Sequence, residues 1–134
     1  MNKPTVVCLC GSTKFKVAFE DAARREGLAG RIVLTVPCFG HMGDLPPEAC
    51  QGGHPTKKML DHLHFRKIDL ADEILVLNVD GYIGHSTRRE IVYAMGSGKR
   101  VRFLNEELGD AYLETNAREL CAMFPDLARE LLKK

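Results

Sequence analysis

The chain has no tryptophan and only three tyrosines among its 134 residues. An aromatic platform for stacking single-stranded nucleic acid is therefore not expected. Charge of neither sign dominates: 19 Lys and Arg stand against 18 Asp and Glu, a formal net charge of +1. That field is too weak to gather a nucleic-acid polymer or a membrane surface. No apolar run is long enough to span a bilayer. Met1-Asn2-Lys3-Pro4 leads straight into a strand-like segment, without the apolar stretch of a signal peptide. The five cysteines are an odd number without a regular framework, which suits free thiols in a reducing, cytoplasmic compartment. The Walker A spacing GxxxxGK[ST] is absent, as is the dinucleotide pattern GxGxxG. What is there is ordinary globular composition, 45% hydrophobic and 28% charged. It fits one domain over residues 1–134 that can bury a core without staples.

Strand-like and helix-like segments alternate. Thr5-Val6-Val7-Cys8-Leu9-Cys10 is a continuous apolar run, the mark of a strand buried on both faces of a parallel sheet. Cys8 and Cys10, two apart, share one face of it. Gly11-Ser12-Thr13 opens a helix to about Gly27, with Val17, Ala18, Ala22, Phe15 and Phe19 as its apolar face. Further strands are expected over Arg31–Val36, Glu73–Val79 and Arg100–Leu104. Helices are expected over Thr56–Ala71, with Met59, Leu60, Leu63 and Ile68 inward, and over Ser86–Met95. The tail from Glu106 reads as amphipathic helix, interrupted near Pro125. The long Gly- and Pro-rich connection from Pro37 to Pro55 has the length of a functional lid. This alternation predicts a doubly wound, three-layer α/β domain around a parallel sheet of four to five strands. Ligands of such sheets sit at the carboxyl ends of the strands.

Four groups of residues there carry chemistry. Gly11-Ser12-Thr13-Lys14 joins a strand to a helix start, where free N–H groups, two hydroxyls and a cation suit a phosphate; Ser12 or Thr13 serves equally well as a plain helix cap. Gly84-His85-Ser86-Thr87-Arg88-Arg89-Glu90 repeats that context. A first-turn Glu90, kept ionised by the helix dipole, could act as a nucleophile, or Thr87-x-x-Glu90 could be a capping box. Gly84, Ser86 and Arg88 are candidate phosphate or sugar contacts. Cys38-x-x-His41 with Cys50-x-x-x-His54 has zinc-ligand residue types in a loop. On the helix before the third strand, His62 and His64 point to different faces, and His64 or Asp69 could stand at the mouth of the site.

Three pieces occur in order: Cys10-Gly11-Ser12-Thr13-Lys14; Asp69-Leu70-Ala71-Asp72-Glu73-Ile74; and Glu90-x-x-Tyr93-Ala94 with Gly98-Lys99 behind. Over residues 5–104 the chain resembles the nucleoside 2-deoxyribosyltransferase superfamily, which includes the 2′-deoxynucleoside 5′-phosphate N-hydrolases. The resemblance implies a flavodoxin-like (Rossmann-like) sandwich, usually a homodimer, acting without metal or organic cofactor on a small-molecule nucleoside or nucleotide. It implies that Glu90 attacks C1′ of the sugar to form a glycosyl ester, with Ser12, Lys14 and Ser86 holding a 5′-phosphate. Two positions that are acidic in the transferases are Gly84 and His64 here. Asp69, Asp80, His64 and His85 are the candidates to orient the sugar or protonate the base in their place. A non-catalytic nucleotide sensor using the same pocket is the alternative expectation.

Overall fold

The computed structural model describes residues 2–123. The elements are β1 (Val6–Cys10), α1 (Lys16–Leu28), β2 (Ile32–Leu34), α2 (Pro55–Leu70), β3 (Glu73–Val76), α3 (His85–Gly96), β4 (Arg100–Phe103), α4 (Glu106–Thr115) and α5 (Ala117–Met123). All four strands are parallel, in the order β2-β1-β3-β4. The expected α/β layer fold is the observed one, with a four-stranded sheet.

The central strands are the ones whose apolar runs are unbroken. Every residue of β1 and of β3 is buried. Because side chains alternate along a strand, Val7 and Leu9 join Leu75 and Leu77 on the face covered by Phe19 and Ala22 of α1. Val6, Cys8 and Cys10 join Ile74 and Val76 on the other face, under Ile68 of α2, Ile91, Ala94 and Met95 of α3, and Leu120 of α5. The chain goes outward from β1 to β2, then returns past β1 to β3. At the carboxyl ends β1 therefore leads to a helix on one face and β3 to a helix on the other, which opens a crevice between them.

The opposite, amino-terminal end of the sheet is tied by charge. Glu73 is buried and meets Arg31 at 3.9 Å, Arg100 at 3.5 Å and Arg102 at 3.1 Å; Arg102 also pairs with Glu26, whose other oxygen lies 3.5 Å from Arg31. Asp72 accepts a 2.8 Å hydrogen bond from the N–H of Val6. At the carboxyl ends of the strands, buried Asn78 and the backbone of Asn105 exchange hydrogen bonds of 2.9 and 2.8 Å. Asn105 then caps α4 by accepting from the N–H of Leu108. Gly109 lets α4 lie against β4, because a Cβ there would overlap the Phe103 ring.

Several local expectations are corrected. α1 begins at Lys16 with Phe15 as its N-cap and no side-chain cap, because the N–H of Phe15 turns back to the Ser12 carbonyl at 3.1 Å. Ser12 and Thr13 thus belong to a loop before the helix and cap nothing. Val17 is 80% exposed, and the inward face of α1 is Phe19, Ala22 and Glu26. β2 is an edge strand of three residues, β3 stops at Val76 and β4 at Phe103. On α2, Met59 and Leu63 face outward while His64 and Ile68 are buried. The break expected near Pro125 lies outside the described residues. Among those residues no helix is long and apolar enough to cross a membrane.

Candidate active site

The crevice at the carboxyl ends of β1 and β3 is a cavity of about 560 Å³. Gly11, Ser12 and Thr13 form one wall, directly after β1. Gly84, His85, Ser86, Thr87, Arg89 and Glu90, from the start of α3, form another. Lys57, Leu60, Asp61 and His64 reach in from α2, and the loop after β2 covers the top with Pro37, Cys38, His41, Leu45 and Cys50 among others. The loop is fastened across the mouth, since Thr13 Oγ1 and His41 Nδ1 stand 2.5 Å apart. Gly11 is close-packed: a Cβ there would come 3.2 Å from Leu77 Cβ.

In this cavity Glu90 is nearly buried and His64 is buried. Their side chains are 13% and 8% exposed, and Oε2 of Glu90 lies 3.9 Å from Nε2 of His64. The capping box does not form. Gly84 is the N-cap of α3 without any side-chain bond, Thr87 is buried within the helix, and Glu90 sits in the second turn. The helix dipole therefore does not govern its charge. Burial does, pushing the Glu90 carboxyl up to about 7 against the pull of His64, with Cys8 and Asp61 pushing the same way as burial. For His64, burial disfavours the charged ring, but the hydrogen bond with Cys8 and the charge of Glu90 outweigh it and raise its pKa. Beneath the ring lie Cys8 and Cys10, with sulfurs 3.6 and 3.5 Å from Nε2. The Cys8 thiol is pushed down by hydrogen bonding to Cys10 and to His64, and burial pushes Cys10 up.

Of the residues singled out from sequence, the cavity gathers Gly11, Ser12, Thr13, His64, Gly84, His85, Ser86 and Glu90, and Asp80 does not line it. Three others are held elsewhere. Lys14 is exposed, its ammonium 3.6 Å over the Tyr82 ring. Arg88 turns to α4 and α5, donating to Asn116 at 2.7 Å and pairing with Glu119. Asp69 does not line the cavity. It accepts from the Tyr93 hydroxyl at 2.5 Å and pairs with Arg66 at 2.7 Å, and these partners hold its carboxyl below the usual range. Lys99 donates to the Asp69 carbonyl at 3.1 Å. The Glu90-x-x-Tyr93…Lys99 pattern therefore splits: Glu90 enters the cavity, while Tyr93 and Lys99 clamp α3 and the start of β4 to the end of α2.

The zinc arrangement considered for the loop is overturned. His41 is engaged with Thr13, and His54 Nδ1 accepts from the N–H of Thr56 as the N-cap of α2. Among the described residues no group of three potential ligands includes Cys38, His41, Cys50 or His54.

Two residues of the cavity were not anticipated. Lys57 donates to Asp61 at 2.5 Å and to Ser86 Oγ at 3.2 Å, placing a cation, a carboxylate and a hydroxyl on one wall. Their signal was in the spacing: Lys57, Asp61, His64 and Ile68 recur on one helical face. The site thus offers a carboxyl that can be ionised or protonated near neutrality, an imidazole whose pKa is raised, and a cation with hydroxyls for an anion. No family model matches the chain, and no curated protein or solved structure matches it.

Proposed function

We propose that the chain cleaves the N-glycosidic bond of a nucleoside or nucleoside 5′-monophosphate, with Glu90 as the nucleophile. The observation that supports this most is Glu90 itself. It is a carboxyl engaged in no cap, nearly buried at the floor of a cavity large enough for a nucleotide. In its ionised form one oxygen bonds to C1′ while the C1′–N bond breaks and its electron pair leaves on the base. The transition state resembles an oxocarbenium ion beside a carboxylate, as in retaining glycoside hydrolysis. The departing base needs a proton, for which His64 is the cavity's candidate. Water then attacks C1′, its proton passes to the imidazole that protonated the base, and the C1′–O bond to Glu90 breaks to release the carboxylate. The absence of acids at Gly84 and at His64 favours water over a second base as the acceptor. Ser12, Thr13, Lys57 and Ser86 are suited to hold a 5′-phosphate. The thiols of Cys8, Cys10, Cys38 and Cys50 are free, which suits a reducing compartment such as the cytoplasm.

The test is base release from ribo- and deoxyribonucleosides and their 5′-monophosphates, wild type beside Glu90→Ala. Release from at least one member that vanishes in the variant is expected. No release from any member overturns the reading, and a nucleotide that raises the melting temperature without turnover would make the pocket a sensor instead.

A further inference from the structure

Cys8, Cys10 and His64 form a cluster that the glycosidic reaction leaves unused in part. Both cysteines are fully buried and project from the same face of β1, and His64 reaches them from the middle of α2. Among the described residues this is the one group of three whose ligand atoms all lie within 4.8 Å of one another. The two S–N distances, 3.6 and 3.5 Å, have a metric meaning. Zinc bonds of about 2.3 Å to sulfur and about 2.0–2.1 Å to nitrogen, at a tetrahedral angle, put S and N about 3.6 Å apart. The two sulfur–nitrogen spacings of a zinc site are therefore already set by the strand pleat and the helix phase.

We propose that Cys8, Cys10 and His64 bind a thiophilic divalent cation, zinc in the first instance, with Glu90 at the fourth position, in a loaded form that withdraws His64 and Glu90 from the glycosidic step and so does not turn over. Two sulfurs and an imidazole select against magnesium and calcium, which take oxygen ligands. The fourth position faces the cavity: Glu90 Oε2 is 3.9 Å from His64 Nε2, and both residues line the opening through which an ion would enter. Binding releases the thiol protons to solvent as the two metal–sulfur bonds form. The site stands on the three ligands' geometry and does not depend on the chain being a glycosidic enzyme.

The test uses the full chain with Cys38→Ala, Cys50→Ala and Cys121→Ala combined, so that Cys8 and Cys10 are the only thiols left. The protein is kept reduced with a phosphine and titrated with cobalt(II), then zinc(II). The expected result is one equivalent of cobalt with a thiolate-to-cobalt charge-transfer band and the visible spectrum of a tetrahedral ion, bleached by one equivalent of zinc. His64→Ala in the same background weakens binding at least tenfold, and Cys8→Ala abolishes the charge-transfer band. Absence of that band in the triple variant overturns the proposal, as does a band that survives Cys8→Ala unchanged. Should the buried substitutions prevent folding, the triple variant decides alone, because no other thiolate remains to give the band.

Discussion

Replacing Glu90 by Gln removes a charge while keeping the shape of the side chain, and the consequence for stability depends on pH in a defined way. Burial raises the folded carboxyl to about 7, whereas an unfolded glutamate titrates near about 4.3. Between those values the folded state binds more protons than the unfolded state, so stability falls as pH rises. Wild type is relieved of this cost below about pH 4 and carries all of it above about pH 7. Each tenfold difference in proton affinity between the two states is worth about 1.4 kcal/mol, which makes the full effect about 4 kcal/mol. Part is offset in the variant, because His64 loses the Glu90 charge that helps to hold its proton. Urea unfolding of both proteins at half-unit steps from pH 5 to pH 8.5 measures it. The Gln variant should gain on wild type steadily up to about pH 7 and then hold a constant advantage of about 2–3 kcal/mol. A difference that is flat with pH would refute the reasoning. A variant that loses ground as pH rises would show that Glu90 is instead stabilised as an anion.

The same titration should govern activity: base release is expected to rise with pH through an apparent value near 7 that belongs to the Glu90–His64 pair. His64→Ala removes the charge that pulls Glu90 down, so the rising limb should move to higher pH; an unmoved limb would mean that His64 does not set the ionisation of Glu90. At the other end of the sheet, Arg102→Ala strips a partner from both Glu26 and Glu73. It should cost about 3 kcal/mol in urea unfolding, the low end for a broken buried pair, because Arg31 and Arg100 still reach Glu73; a loss below about 1 kcal/mol would mean the network is not structural. Gly109→Ala would drive a methyl into Phe103, and a loss of about 1–3 kcal/mol is expected from such overpacking; an unchanged or raised unfolding midpoint would contradict the close approach of α4 to β4.

The sheet was legible because β1 and β3 are covered on both faces, and continuous apolar runs are what such strands require. The carboxyl-end location followed from that layout alone, and Gly11, Ser12, Ser86 and Glu90 do meet there. The inward face of α2 was not legible from hydrophobic period. It fronts the cavity over most of its length and meets the apolar core only near its end, at Ile68, so Lys57, Asp61 and His64 turn inward while Met59 and Leu63 meet solvent. Helix phase explains the other differences. Asp69 follows buried Ile68 and is swung about 100° away from it, and Arg88 and Arg89 are separated by the same step, so Arg89 alone lines the cavity. Lys14 was lost because α1 starts late, at Lys16. The identity of Glu90 was in the motif; its burial, and hence its chemistry, came from the approach of His64 across α2 and α3.

The central claim is a covalent bond between Glu90 and the sugar. The most direct measurement is acid-quenched mass spectrometry of the protein after incubation with 2′-deoxy-2′-fluoroarabinosyl nucleosides and their 5′-monophosphates. The electronegative fluorine slows breakdown of the glycosyl ester by disfavouring the oxocarbenium-like transition state. The account predicts one sugar, or sugar phosphate, added to the peptide that carries Glu90, and none in Glu90→Gln. An adduct on another residue, or no adduct with any member of the set, would contradict it.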